Sequence, residues 1–134
     1  MGQIIDTCVW VDHLRKGTPE ATRRVANDVL NHEDALLCEP VRFELLYGAS
    51  RRERPLLLQR LETMPLLSTP PTLWSVASDL ATELCDAGLR LPSLDLLIAA
   101  LCIHHNVILT TFDAHFGELG ARSKLRVNLL VRPD

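Results

Sequence analysis

Hydrophobic positions fall into two patterns along this chain: short continuous runs, and longer stretches in which they recur every three or four residues. Gln3 to Ile5 leads into Asp6 as a short strand, and residues 35–38 form an unbroken apolar run, as expected of a strand buried on both faces. Leu66-Leu67 reads as a third short strand, residues 107–111 as a fourth, and residues 126–131 as a fifth near an edge. Between them lie helical patterns. Thr18-Pro19-Glu20 predicts a helix start, with Thr18 as cap and Pro19 in the first helical position. Ala21, Val25 and Val29 would then share one face. Pro40 opens a helix that carries Glu44, and Leu56, Leu57 and Leu61 suggest another. The most regular helix follows Thr72, its expected cap: Leu73, Val76, Ala77, Leu80, Ala81 and Leu84 keep a 3.6-residue period until Gly88 stops it. Ser93 is expected to cap a helix over residues 94–105 that is apolar nearly all round, which predicts central packing.

Strands alternating with helices predict an α/β fold: one domain over residues 1–134, a three-layer sandwich around a mostly parallel sheet of about five strands. In such sheets ligands gather outside the carboxyl ends of the strands. Asp6 ends the first strand there, and Asp113 lies just beyond the fourth. The helix after the second strand begins at that edge and brings Glu44 near. The helix running directly into the fourth strand must finish at the amino edge, so its start, with Asp95, lies at the carboxyl edge. Four acids distant in sequence are thereby expected to converge.

Composition supports an ordinary globular domain: 134 residues, 47% hydrophobic and 23% charged, enough to bury a core. No apolar run approaches the roughly 20 residues of a bilayer span. The opening Met1-Gly2-Gln3-Ile4-Ile5-Asp6 has neither the basic region nor the long apolar region of a secretory signal, and position 6 does not suit myristoylation. A cytoplasmic protein is expected. Its four cysteines, Cys8, Cys38, Cys85 and Cys102, are scattered and expected to be reduced and buried; no spacing suits structural zinc. With the four acids set aside, the net charge moves from −3 to +1, and basic clusters remain at Arg15-Lys16, Arg23-Arg24 and Arg51-Arg52 with Arg54. Such clusters suit phosphates but are equally common on solvated faces.

Each acid has an ordinary structural role open to it. Asp6 suits a cap, Asp95 complements a helix dipole, Glu44 suits a helix surface and Asp113 a turn. Together they are a different matter. Carboxylates crowded at one edge repel one another, and a divalent cation resolves the conflict. Mg²⁺ prefers hard oxygen ligands and retained waters, leaving room for a phosphate oxygen and an attacking water. By contrast Asp79, Glu83 and Asp86 lie mostly off the apolar stripe of their helix and read as solvated. Trp10 and Trp74 are expected in core or interface packing rather than stacked on bases, and His104-His105 suits a helix C-terminus. No nucleophilic triad and no glycine-rich phosphate loop stands out.

Four segments together resemble the PIN domains, and most of all the VapC toxins of toxin–antitoxin pairs. They are Ile4-Ile5-Asp6-Thr7, the run from Phe43-Glu44 to Ala49, the run from Asp95 to Ala100, and the run from Thr110 to Phe116, in order over nearly the whole chain. The resemblance implies an Mg²⁺- or Mn²⁺-dependent endoribonuclease, usually dimeric, acting on RNA and inhibited by a cognate VapB-like antitoxin. It makes Asp6, Glu44, Asp95 and Asp113 the catalytic, metal-holding quartet, Glu44 directly or through water, with Thr7 and Thr111 in support. Two positions depart from the pattern. Cys8 stands where many relatives have Ser or Asn, and His115 replaces the acid often found two after Asp113.

Two other readings remain at this point. A metal-dependent phosphohydrolase of doubly wound fold also gathers acids at strand ends, but a dehalogenase-like one would want a second Asp where Cys8 stands. A receiver-like domain would want a Lys after its last strand, where Arg132 is the only basic residue. A non-catalytic PIN-like module that binds RNA or protein would not need all four acids.

Overall fold

The computed structural model describes residues 2–133; Met1 and Asp134, the ends of the expected domain, lie outside them. Four strands form one sheet: β1 (Gln3–Ile5), β2 (Ala35–Leu36), β3 (Ile108–Thr111) and β4 (Arg126–Leu129), in the order β2-β1-β3-β4. All three pairings are parallel, with Ile4 opposite both Leu36 and Leu109. Ile4 and Ile5 point to opposite faces, yet both are fully buried, so both faces of the sheet are covered by helices. Burying each such side chain stabilises by about 1.5–3 kcal/mol, against roughly 1 kcal/mol net for one ladder hydrogen bond. Packing therefore sets where these short strands lie.

The expected third strand at Leu66-Leu67 is reduced to a single parallel bridge between Leu37 and Leu66. Leu37 N–H donates to Pro65 O, and Leu67 N–H donates to Leu37 O, both at 2.8 Å. Pro65 lacks the N–H that the next rung on one side would need, and on the other side the chain leaves the strand where a helix begins at Glu39.

Among the described residues seven helices surround the sheet: α1 (Thr7–Leu14), α2 (Glu20–Leu30), α3 (Glu39–Gly48), α4 (Arg54–Glu62), α5 (Leu73–Asp86), α6 (Ser93–His105) and α7 (Ala114–Ala121). In α6 the consecutive residues Ile98 to Cys102 are all buried, which takes burial right round the helix, and α6 packs against α5, α3 and β3. It ends at Asn106 in the left-handed conformation and passes straight into β3. Helix α5 ends as its pattern predicted. Gly88 has φ +80°, its N–H donates to Cys85 O, and Leu89 N–H reaches back to Leu84 O at 2.8 Å.

Two of the expected caps are shifted: Pro19 and Pro92 themselves occupy the N-cap positions of α2 and α6, so Thr18 and Ser93 are each displaced by one residue. Thr72 holds the N-cap position of α5 as expected, without a side-chain bond. On α2 the buried row is Thr22, Ala26 and Leu30; Val25 and Val29 flank it and Ala21 is exposed. The rows are adjacent on a helix, and the core lies against the second. Trp10 is fully buried, as expected, whereas Trp74 is 66% exposed on the outer face of α5. Cys85 is also exposed there, against expectation, because it follows Leu84 off the apolar stripe.

Candidate metal centre

Asp6 is where the site begins. It follows β1, caps α1, and is only 5% exposed. Its Oδ1 accepts the Thr7 N–H at 2.8 Å, while Oδ2 accepts from Thr111 Oγ1 at 2.7 Å and from the Cys8 thiol at 3.2 Å. A carboxylate offers about four acceptor positions. Three are filled by the protein, which fixes the group's direction and leaves one for a ligand. The Cys8 thiol supplies the contact that a hydroxyl or amide at that position would make.

The other three acids are placed by neighbouring elements. Glu44, in the second turn of α3, accepts from Thr7 Oγ1 at 2.8 Å. Thr7 thus serves two acids, one through its N–H and one through its hydroxyl. Asp113 caps α7, accepting the His115 N–H at 2.9 Å, and its own N–H donates to Thr111 Oγ1 at 3.0 Å. Asp113, suited to a turn by sequence, starts a helix here. His115 turns back, its Nδ1 3.0 Å from Asp113 Oδ1. Asp95 lies in the first turn of α6.

Asp6, Thr7, Cys8, Glu44, Asp95 and Asp113 line one cavity of about 350 Å³. Burial, followed by the charges of Asp6, Glu44 and Asp113, pushes the Asp95 carboxyl up to about 6. Burial likewise raises Asp6, against the lowering effect of its three hydrogen bonds. Asp95 senses the other three acids, and all four line one cavity, so the expected convergence at the carboxyl edge is present. Among the described residues, no three Asp, Glu, His or Cys side chains already stand close enough to enclose an ion. Glu44 and Asp113 are instead turned to Thr7 and His115. The donor chemistry nonetheless suits a hard divalent cation: the acids supply oxygen ligands, and a positive charge offsets both the burial of Asp95 and the repulsion among the acids.

Of the basic clusters, Arg15 reaches the cavity rim. Arg23 is spent on the carbonyls of His13, Arg15 and Lys16, and Arg24 pairs with Glu20. The rim also holds Asp12 and Arg132, which the sequence pattern did not single out as site residues. Asp12 lies three residues beyond Val9 on a helix that was not expected, and Arg132 lies past the last strand. Glu44 is shared with a second, larger groove of about 720 Å³ between α1, α3 and α4, whose walls include Val11, Leu14, Leu45, Leu56 and Leu57.

Comparison with known proteins follows the same outline. The PIN domain family matches residues 4–121. Ribonuclease VapC19 of Mycobacterium tuberculosis is 32% identical over 115 residues, covering 85% of this chain and 91% of the relative. VapC ribonuclease Mb1587 of Mycobacterium bovis is 30% identical over 128 residues, covering 92% and 95%. Among solved structures, VapBC2 from Rickettsia felis bound to a promoter DNA fragment superposes with a TM-score of 0.75 at 22% identity, covering 96% of this chain and 98% of that one. DNA-bound VapBC from Salmonella typhimurium gives 0.74 at 19% identity, covering 96% and 97%. At those identities the likeness is one of fold.

Proposed function

The chain belongs to the PIN-domain family, and from that premise we propose that it is a metal-dependent endoribonuclease, the toxin of a toxin–antitoxin pair, cleaving RNA phosphodiester bonds at the cavity between Asp6, Glu44, Asp95 and Asp113. Curated relatives across most of the chain are named ribonucleases, and the similar folds come from VapBC assemblies. The observation that carries the reading is one solvent-open cavity lined by all four acids, in which burial first and the other three charges second raise Asp95. Mere caps or surface acids would not be gathered so.

Mg²⁺ or Mn²⁺ is the fitting cation; Asp6 and Asp95, on rigid elements, would hold it, and Asp113 and Glu44 would complete the set directly or through water. Once bound, the cation supplies charge neutralisation and Lewis-acid activation at the phosphate. The chain's own residues do the rest. Thr111, Cys8 and the Thr7 N–H keep Asp6 aimed. Glu44, on a longer side chain steadied by Thr7, would accept a proton from the attacking water. His115 holds Asp113.

The groove beside Glu44 has an apolar floor and suits an amphipathic segment of a VapB-like antitoxin. Exposed Phe43, Tyr47, Leu56 and Trp74 leave apolar surface for a homodimer. RNA as substrate fits work in the cytoplasm, and no helix among the described residues is long and apolar enough to cross a membrane. Expression in bacteria tests the proposal. The wild-type chain should arrest growth and accumulate RNA fragments, and Asp95→Asn should do neither. Co-expression of the neighbouring gene's product should restore growth. Equal growth with wild type and Asp95→Asn would contradict the toxin reading.

A further inference from the structure

Two cationic side chains stand on the rim of the acid cavity, Arg15 and Arg132, and the second is fastened there by the fold. After β4 the chain lies back along the site: Leu130 N–H donates to Thr111 O at 2.7 Å, next to the hydroxyl that holds Asp6. Two residues on, Arg132 Nε donates to Asp12 Oδ2 at 2.9 Å, and its guanidinium carbon sits 4.5 Å from the centre of the Phe112 ring. Asp12 belongs to α1, the helix that Asp6 caps, and Phe112 directly precedes Asp113. A lone exposed ion pair fixes little. Here an ion pair and a ring face act on one planar group, which sets both its position and its tilt.

Among the described residues only Nε of that guanidinium has a partner, and the side chain is 51% exposed. The remaining N–H donors form the planar fork that matches a phosphate. Charge gives the reason for one. The cavity is lined by four acids, so a phosphodiester approaching it meets negative charge. Cations on the rim offset it. If Arg132 served only to pin the segment after β4, its place on the rim of this cavity would be incidental.

Resting on the ribonuclease reading, we propose that Arg132, positioned by Asp12 and Phe112, binds a phosphate of the RNA substrate at the mouth of the acid cavity, with Arg15 as a second, looser contact. Arg132 is a substrate-binding residue in this account, and Asp12 a positioning residue.

The test uses single-turnover cleavage of a labelled mixed-sequence RNA oligonucleotide in Mn²⁺, with enzyme in excess and salt varied. Binding is followed separately by fluorescence anisotropy of the same RNA in a Glu44→Gln background. Arg132→Gln should raise the half-saturating enzyme concentration by roughly tenfold, as for loss of a charge-assisted hydrogen bond. It should also flatten the slope of log affinity against log salt by about 0.7, the loss of one phosphate contact on a single strand. Mn²⁺ affinity and melting temperature should stay as in wild type. Arg132→Lys should recover the salt slope but not the full affinity, since it keeps the charge and loses the fork. Asp12→Asn should weaken RNA binding without changing that slope. If Arg132→Gln and Arg132→Lys both bind and cleave like wild type with the same slope, the proposal is overturned. Faster cleavage and tighter Mn²⁺ binding in Arg132→Gln would also overturn it, marking Arg132 as an occupant that competes with metal. If wild type neither binds nor cleaves RNA, both readings fall; if wild type does both and the variants are unchanged, only this one does.

Discussion

The Thr111 hydroxyl donates to Asp6 Oδ2 at 2.7 Å, joining residues 105 positions apart in sequence. The same oxygen accepts the Asp113 N–H at 3.0 Å, so one buried hydroxyl fixes a carboxylate on one side and the start of a helix on the other. Parallel pairing of β1 with β3 sets this up: Ile5 lies opposite Thr110, which brings Asp6 beside Thr111.

Thr111→Val keeps the shape and removes the hydroxyl. It leaves the Asp113 N–H without its acceptor and Asp6 without its shortest donor. We expect a loss of about 1–3 kcal/mol in stability and a weakening of metal affinity by roughly 10–100-fold. Chemical denaturation and Mn²⁺ titration measure the two. Thr111→Ser should retain most of both, and a Thr111→Val protein with unchanged metal affinity would show that this hydroxyl does not orient Asp6.

Asp95 gives a pH signature. Its carboxyl ionises near 3.8 when unfolded and at about 6 when folded, because of burial first and the other three acids second. Between those values the folded state holds the extra proton. Stability from protonated Asp95 is therefore full below about pH 4 and lost as pH rises through about 6. With chelator present, Asp95→Asn should melt close to wild type at pH 4 and a few degrees above it at pH 7. A difference that stays constant from pH 4 to 7 would remove the electrostatic account of the site.

Much of this was legible in the sequence, for identifiable reasons. Helix α5 keeps its period for 14 residues and stops at Gly88, and α6 is apolar throughout, so both were readable without a structure. Helices α1 and α7 were not, since eight residues carry barely two turns of period. Their caps are Asp6 and Asp113, the same acids that suggested chemistry, so each acid is at once a helix start and a wall of the cavity. Convergence of the four followed from strand direction and the alternation of strands with helices alone. The bonds from Thr7 to Glu44 and from Cys8 to Asp6 did not, because they depend on where α1 turns. Arg132 could not be placed because nothing in its local pattern says that the segment after β4 returns to Thr111.

Metal should stabilise the folded chain, because the unfolded chain offers no assembled site. Mn²⁺ at about 100 times its dissociation constant should add roughly 2.7 kcal/mol, seen as a rise in melting temperature over chelator. Asp95→Asn should shrink that rise. Identical melting in millimolar Mn²⁺ and in chelator would count against the site.

Glu44 and Asp113 should separate binding from chemistry. Glu44→Gln keeps an acceptor for Thr7 and loses the base. It should retain metal binding while cutting the maximal rate by roughly 10²–10⁴-fold. Asp113→Asn should weaken metal affinity more than it lowers the rate at saturating metal. Single-turnover rates across a Mn²⁺ titration distinguish the two. A Glu44→Gln protein that regains full rate at saturating Mn²⁺ would make Glu44 a metal ligand only.

The central claim is that these four acids form a metal-dependent centre that cuts RNA. Its most direct test is cleavage of a susceptible RNA by the purified chain with Mn²⁺ and with chelator, run beside Asp6→Asn and Asp95→Asn proteins whose folding is verified by circular dichroism. The account predicts internal cleavage by wild type in Mn²⁺, none in chelator, and none by either variant. Cleavage that persists undiminished in chelator, or in Asp95→Asn, would contradict it.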